Sequence, residues 1–513
     1  MKKNLTTLFI LFVACLANAQ SAYDEPADVP HKYFELSLKF IKETPGFTPP
    51  VASRTLGYTG LCLFESVVHG LPNYFSLVGD LPELDYLPQP SEGETYNWSV
   101  VANNAMAFVL DSLFDNKSLD NKILLYATRT DFNIALKAQL SDDVYERSAA
   151  YGELIGQAIL DYSKTDGGYR GQYKNFPSSF VPPIGEEYWS PLTGQAALQP
   201  YWGDNRAFMP ENVTDGALPP PPPSFSTDPS SIFYAYSNQV YTTSQNLTQA
   251  QKDIATFWAD AGGTFTPPGH SISILRQLLR EEGWDLGKSA VAYVKMGLSL
   301  SDAFLACWKT KYIYNLCRPV TFIKANIDPN WSSFIGTPPF PEYPSGHSSQ
   351  SGAWSVIMTD LFGEDYAFSD STYATTLGVR SFTDFESCAE ETALSRLYGG
   401  IHYEFGNLNG SYLGQTVGDN IVNLFQQVSS TAARHQLPAL QIFPNPAKEA
   451  VFIKNMTPDM TSFKLSSITG STMKSGMMDS RGISLDGLAT GLYIVTILDA
   501  NGYPVGQQKL VVQ

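Results

Sequence analysis

The chain has 513 residues, 43% hydrophobic, 13% aromatic and 16% charged, which suits a large globular protein with several domains and a sizeable core. Its net charge of −17 and pI near 4.8 argue against nucleic acid or anionic lipid as partners.

Residues 1–19 read as an export signal: a basic head at Lys2 and Lys3, an apolar run from Leu8 to Leu16, and the small-residue cleavage site Ala17-Asn18-Ala19. That run is too short to span a bilayer, and no later stretch is expected to do so. Four cysteines survive cleavage: Cys62, Cys307, Cys317 and Cys388. They form no Cys-x-x-Cys pair, and buried free thiols are expected.

Between 33 and 163, apolar residues recur at three- and four-residue steps. Helices are expected over Ser53–Val68, around Asn97–Phe114, and over Asn121–Leu140 and Val144–Tyr162. From 164 to 228 the pattern breaks into Gly, Pro, Tyr and Trp and ends in the run Pro219–Pro223. Its aromatics need burial, so an excursion wrapped over the helices is expected. The alternative is a proline-rich ligand for another module.

Helices resume at about 247–260. Thr266-Pro-Pro-Gly-His270 reads as a loop before a helix over Ser271–Glu282. A long helix is expected from Gly287 to Leu316, ending near Arg318 because of Pro319. On that reading Lys311 and Arg318, two turns apart, point the same way. Ser345-Gly346-His347 opens an expected helix from Ser348 to Leu361, and Asn407–Val428 is helical again. From about Ala439, short strands are expected at Ala450–Lys454, Ser462–Ile468, Leu492–Leu498 and Val505–Val512. Turns fall at Thr469-Gly470 and Asn501-Gly502. The fold class is mainly α, a helical body over 20–436 followed by a small β-sandwich over 440–513.

Three separated pieces carry the chemistry: Lys311 with Arg318-Pro319, then Pro344-Ser345-Gly346-His347, then Ser395-Arg396 with His402. One lysine, two arginines, a hydroxyl, a glycine amide and two histidines suit a tetrahedral oxyanion. A helix N-terminus at Gly346 adds unpaired N–H groups. A histidine in line with the central atom gives a phosphohistidine with phosphate, or a stable adduct with vanadate.

In order and spacing these pieces resemble the signature of the vanadium-dependent haloperoxidases and the related type-2 phosphatidic acid phosphatases. The resemblance implies a vanadate cofactor with His402 as axial ligand. It implies that Lys311, Arg318, Arg396, Ser345 and Gly346 bind its oxygens, that Lys311 polarises peroxide, and that His347 is the acid/base. Trp308 and Phe340 are similar to the halide-pocket aromatics of fungal chloroperoxidases in the family. Asp260, paired with an active-site arginine or held in a structural ion pair, and Ser348 are further candidates around the site. Many relatives carry a bulky aromatic before Arg-Pro where this chain has Cys317, a thiol exposed to oxidation unless shielded. His31, His69 and His435 lie outside every motif and are expected to pack or face solvent.

The opening Phe443-Pro-Asn-Pro-Ala447, the run Gly491–Ile497 and the end Lys509–Gln513 resemble the C-terminal sorting domains of type IX secretion, an alternative being a carbohydrate-binding sandwich. The expectation is therefore a secreted or cell-surface haloperoxidase. It would use hydrogen peroxide and a halide, iodide or bromide first, and engage the type IX machinery through residues 440–513. A secreted acid phosphatase on the same scaffold is one rival. A non-catalytic surface protein is the other.

Overall fold

The computed structural model describes residues 21–214, 216–429, 440–454, 456–457, 460–467, 472–478, 482–498 and 504–513. The expected export signal, the boundary near 436–440, His435 and the two expected turns lie outside these residues.

Thirteen α-helices are found among the described residues. The N-terminal five are α1 (Asp28–Glu43), α2 (Pro49–Val67), α3 (Trp98–Leu113), α4 (Leu119–Lys137) and α5 (Asp142–Ser163). After the excursion come α6 (Ile232–Gln245), α7 (Gln249–Phe257), α8 (Thr266–Glu281), α9 (Leu286–Tyr314) and α10 (Pro319–Asn326). The last are α11 (Gly346–Phe362), α12 (Phe385–Tyr398) and α13 (Glu404–Ser429), with the short hairpin β1 (Phe368–Asp370) and β2 (Arg380–Phe382) between α11 and α12.

The body is centred on α2 and α9, which pack against each other, while α3 lies on α5 and α11 lies on α12 and α13. Every residue of α2 from Pro50 to Val67 is buried, so it shows no polar face. Helices α11 and α13 approach backbone to backbone. A Cβ on Gly414 would stand 2.0 Å from the Ser349 carbonyl oxygen, so only glycine permits that spacing.

Helix α9 is long and apolar enough to cross a membrane, contrary to the sequence expectation, with a mean hydropathy of 1.3 over its best window. That window is 94% buried within the protein, which accounts for its composition as a core helix. A second correction concerns its end. It stops at Tyr314, where Asn315 takes a left-handed conformation at φ 45°, and Arg318 caps the separate helix α10. Asparagine tolerates that conformation and closes helices much as glycine does. Lys311 and Arg318 therefore do not share a helix. Thirdly, Thr266–His270 is the first turn of α8, not a loop. Pro267 and Pro268 suit a first turn, where no amide donor is required.

The excursion wraps the body, its helical elements among the described residues being 3-10 turns, and Trp189, Trp202 and Phe208 are buried. Its anchor is Asp302 on α9. That fully buried carboxylate accepts the amides of Phe208 and Met209 and the Asn212 side chain, each at 2.9 Å.

The C-terminal segment has two antiparallel sheets. One orders β3 (Ile442–Phe443), β4 (Ala450–Ile453) and β7 (Ile483–Ser484). The other orders β6 (Thr472–Met477), β5 (Ser462–Ser467), β8 (Gly491–Leu498) and β9 (Pro504–Val512). Val451 and Ile483 from the first share one core with Leu465, Val495, Ile497 and Leu510 from the second.

Candidate functional site

The three motifs converge from different elements. Lys311 sits in the last turn of α9, Arg318 caps α10, and Ser345 caps α11. Arg396 ends α12, and His402 lies in the bend before α13. An aromatic layer under these bends, including Phe233, Phe322, Tyr343, Tyr403 and Phe405, fixes their backbones.

Arg318 Nε donates to the Phe340 carbonyl at 2.9 Å. Its Nη1 donates to the Ile401 carbonyl at 2.8 Å and faces His402 Nε2 at 3.1 Å. Arg396 Nε donates to Ser395 Oγ at 2.9 Å, and its Nη1 lies 3.4 Å from His347 Nε2. Among the described residues, Nη2 of both arginines is buried with no hydrogen-bond partner. Each such orphan costs about 1–3 kcal/mol, more for a charged group, so the pocket is short of an acceptor. Burial pulls both guanidinium groups down to about 10, still charged at neutral pH.

Lys311 is fully buried, and its ammonium donates to the carbonyls of Pro341 (3.0 Å), Glu342 (2.9 Å) and Pro344. Its three donors are thus engaged in holding the loop that delivers Ser345, and an anion contact requires it to give one up. Burial lowers its pKa to about 7. Ser345 Oγ accepts from the Ser348 amide at 3.4 Å and the Ser348 hydroxyl at 3.0 Å, which leaves its own proton free to donate.

Both histidines are held neutral. Burial, then Arg396, depresses His347 well below the usual range, and burial, then Arg318, does the same to His402. Because Arg318 can only donate, His402 Nε2 is an acceptor and Nδ1 carries the proton. That proton is given to Glu342 Oε1 at 2.7 Å. Glu342 was missed in the sequence, where it reads as spacer between Phe340 and Ser345.

Trp308 and Phe340 stand together, ring centroids 4.8 Å apart. Lys311 Nζ is 5.8 Å from the first ring and 5.2 Å from the second. With Phe47, Phe176 and Phe304 they wall a cavity of about 730 Å³ that reaches Gly346, His347, Arg396 and His402. Trp308 Nε1 donates to the Leu198 carbonyl at 3.3 Å, so the excursion orients this wall.

Asp260 lines the same cavity and, among the described residues, forms no direct ion pair with an arginine. It accepts from His270 Nδ1 at 3.1 Å and from the Tyr373 hydroxyl, while His270 Nε2 meets Asp370 at 2.8 Å. Burial alone would lower the His270 pKa, but the two carboxylates outweigh it and raise the group to about 10. A folded-state value above the unfolded value of about 6.5 adds stability that is complete below pH 6.5. It is lost as pH rises towards 10. Thermal unfolding midpoints are expected to fall over that window, and His270→Gln to flatten the slope.

Among the described residues the four cysteines, Cys62, Cys307, Cys317 and Cys388, are buried and free. Burial pushes the Cys317 thiol up to about 12, so the sulfur next to Arg318 is shielded and protonated.

A family model for the VCPO second helical-bundle domain matches residues 291–431, and one for the secretion system C-terminal sorting domain matches residues 441–513. The fold aligns with the crystal structure of the first bacterial vanadium-dependent iodoperoxidase at a TM-score of 0.70 and 30% identity. That alignment covers 78% of this chain and 96% of the other. A holo-type bacterial vanadium-dependent chloroperoxidase aligns at 0.56 with 16% identity, over 74% of this chain and 93% of that one, a likeness of fold alone. Over 95 residues the chain is 33% identical to the vanadium-dependent bromoperoxidase of Ascophyllum nodosum, a match spanning 16% of this chain and 17% of that curated relative's length.

Proposed function

The chain belongs to the vanadium-dependent haloperoxidases, and from that membership we propose that it oxidises halide with hydrogen peroxide outside the cell. The balance is halide plus peroxide plus one proton to hypohalous acid and water, with two electrons passing from halide to peroxide. The observation that carries the reading is the pair of orphaned buried Nη2 donors, on Arg318 and Arg396, beside the acceptor nitrogen of His402.

This donor set fits vanadate. Arg318 Nη2, Arg396 Nη2, the Ser345 hydroxyl and the Gly346 amide would hold its oxygens, and His402 Nε2 would bond the metal. When bound, vanadate supplies a Lewis-acid centre that activates peroxide without a reductant. Lys311 holds the Ser345 loop through its donors and adds its positive charge to the site. Neutral His347, at the cavity wall, takes the peroxide proton and returns one to the departing oxygen. Trp308 and Phe340 strip water from the halide, which raises its nucleophilicity. Iodide, the most easily oxidised, is the preferred halide, in line with the 30%-identical iodoperoxidase. Residues 441–513 support export through the type IX route.

The test incubates purified apo-protein with orthovanadate, then follows iodide, bromide and chloride oxidation by peroxide. Phosphate release is followed in parallel without vanadate. Vanadate-dependent iodide oxidation is the expected result. Phosphate release without halide oxidation would make the protein a phosphatase, and silence in both assays a non-catalytic one.

A further inference from the structure

We propose that Glu342 is the positioning residue that fixes the tautomer and orientation of His402, and so sets how tightly the chain holds its oxyanion. The proposal rests on the reading of His402 as the vanadate ligand.

Glu342 is fully buried. Its Oε1 accepts two hydrogen bonds, from His402 Nδ1 at 2.7 Å and from the Tyr403 amide at 3.0 Å. One carboxylate oxygen thus grips both the ring and the backbone that carries it onward. Its Oε2 is buried without a partner among the described residues, while the backbone around it is held. Lys311 holds the Glu342 carbonyl and the carbonyls of Pro341 and Pro344. The next residue, Tyr343, donates its hydroxyl to the Pro220 carbonyl at 2.6 Å. A Cβ on Gly406 would stand 2.4 Å from Glu342 Oε1, so the carboxylate occupies room that only a glycine leaves.

The chemical consequence is directional. With Nδ1–H committed to Glu342, the lone pair of Nε2 faces Arg318 and the anion pocket. A carboxylate behind the ring also raises the electron density that Nε2 offers. Without it, the neutral ring can place its proton on Nε2 and present N–H where a lone pair is needed. Arg318, which can only donate to Nε2, favours the same tautomer from the pocket side. Glu342 is the acceptor that fixes it from behind the ring.

The experiment compares wild type with Glu342→Gln, Glu342→Ala and Gly406→Ala as apo-proteins of confirmed thermal stability. Orthovanadate affinity is measured by calorimetry, and the His402 tautomer by nitrogen NMR of histidine-labelled protein. The expected result for Glu342→Ala is a loss of roughly 10–100-fold in affinity, with the His402 signal leaving the Nδ1-protonated form. Glu342→Gln changes no heavy-atom count and keeps an acceptor for both donors. It should hold the tautomer and weaken binding less. Gly406→Ala should behave like a displaced Glu342. Affinity and tautomer in Glu342→Ala and Glu342→Gln matching wild type would overturn the proposal. So would a wild-type His402 protonated at Nε2. The NMR arm decides on Glu342 even if the wild-type chain takes up no vanadate, an outcome that would instead sink the haloperoxidase reading.

Discussion

Replacing His402 with alanine is expected to abolish vanadate retention and halide oxidation while leaving the helical body folded. The ring supplies an uncharged lone pair amid Lys311, Arg318 and Arg396, with Nε2 3.1 Å from Arg318 Nη1. Electrostatic attraction to those cations remains in the variant, so the site still draws anions. What goes is the bond that keeps the anion in one orientation. A loss on the order of a thousandfold in vanadate affinity corresponds to about 4 kcal/mol at 1.36 kcal/mol per decade. Vanadate titration and peroxide-driven iodide oxidation measure it. Retention of vanadate-dependent turnover near the wild-type rate would show that another side chain holds the metal.

Asp302→Ala should be the most destabilising change outside the site. It leaves two buried amides and one carboxamide donor without their acceptor. At about 1–3 kcal/mol for each stranded group, with some relaxation, a total of about 4 kcal/mol is expected. The carboxyl resists burial, which raises its pKa to about 6, yet it stays because three donors converge on it. Chemical unfolding reads the stability loss. Activity should fall as well, since the loosened excursion carries the Leu198 carbonyl that accepts from Trp308 and from Tyr312 at 2.8 Å. Asp302→Asn should be milder, keeping one acceptor oxygen but turning an amide donor towards other donors.

The motif residues were legible because the pocket is written as short runs with fixed gaps, and each run ends or opens a helix. Ser345 is a cap and Arg396 a last-turn residue, so spacing alone points their chemistry to one end of the bundle. Side-chain partners were less legible. Asp260 was expected to pair with an active-site arginine or to form a structural ion pair, and its partner is His270, because the first turn of α8 brings that ring between two carboxylates. The shared helix for Lys311 and Arg318 failed on a single left-handed asparagine, which no periodicity reveals. Glu342 stayed hidden because a carboxylate among phosphate-type ligands looks like spacer until His402 is seen to donate to it. Helices α6, α10 and α12 escaped notice as well. Their neighbours, not an apolar stripe of their own, decide that they form.

The burial of Cys62, Cys307, Cys317 and Cys388 has a consequence for how such a protein ages. Its product attacks sulfur, and these cysteines offer none at the surface. The thioether groups of Met456, Met473 and Met477 are exposed, and all three belong to the C-terminal segment, the last two on β6. Self-inflicted damage should therefore collect as sulfoxide on residues 441–513, which match the sorting-domain family, and spare the helical catalyst.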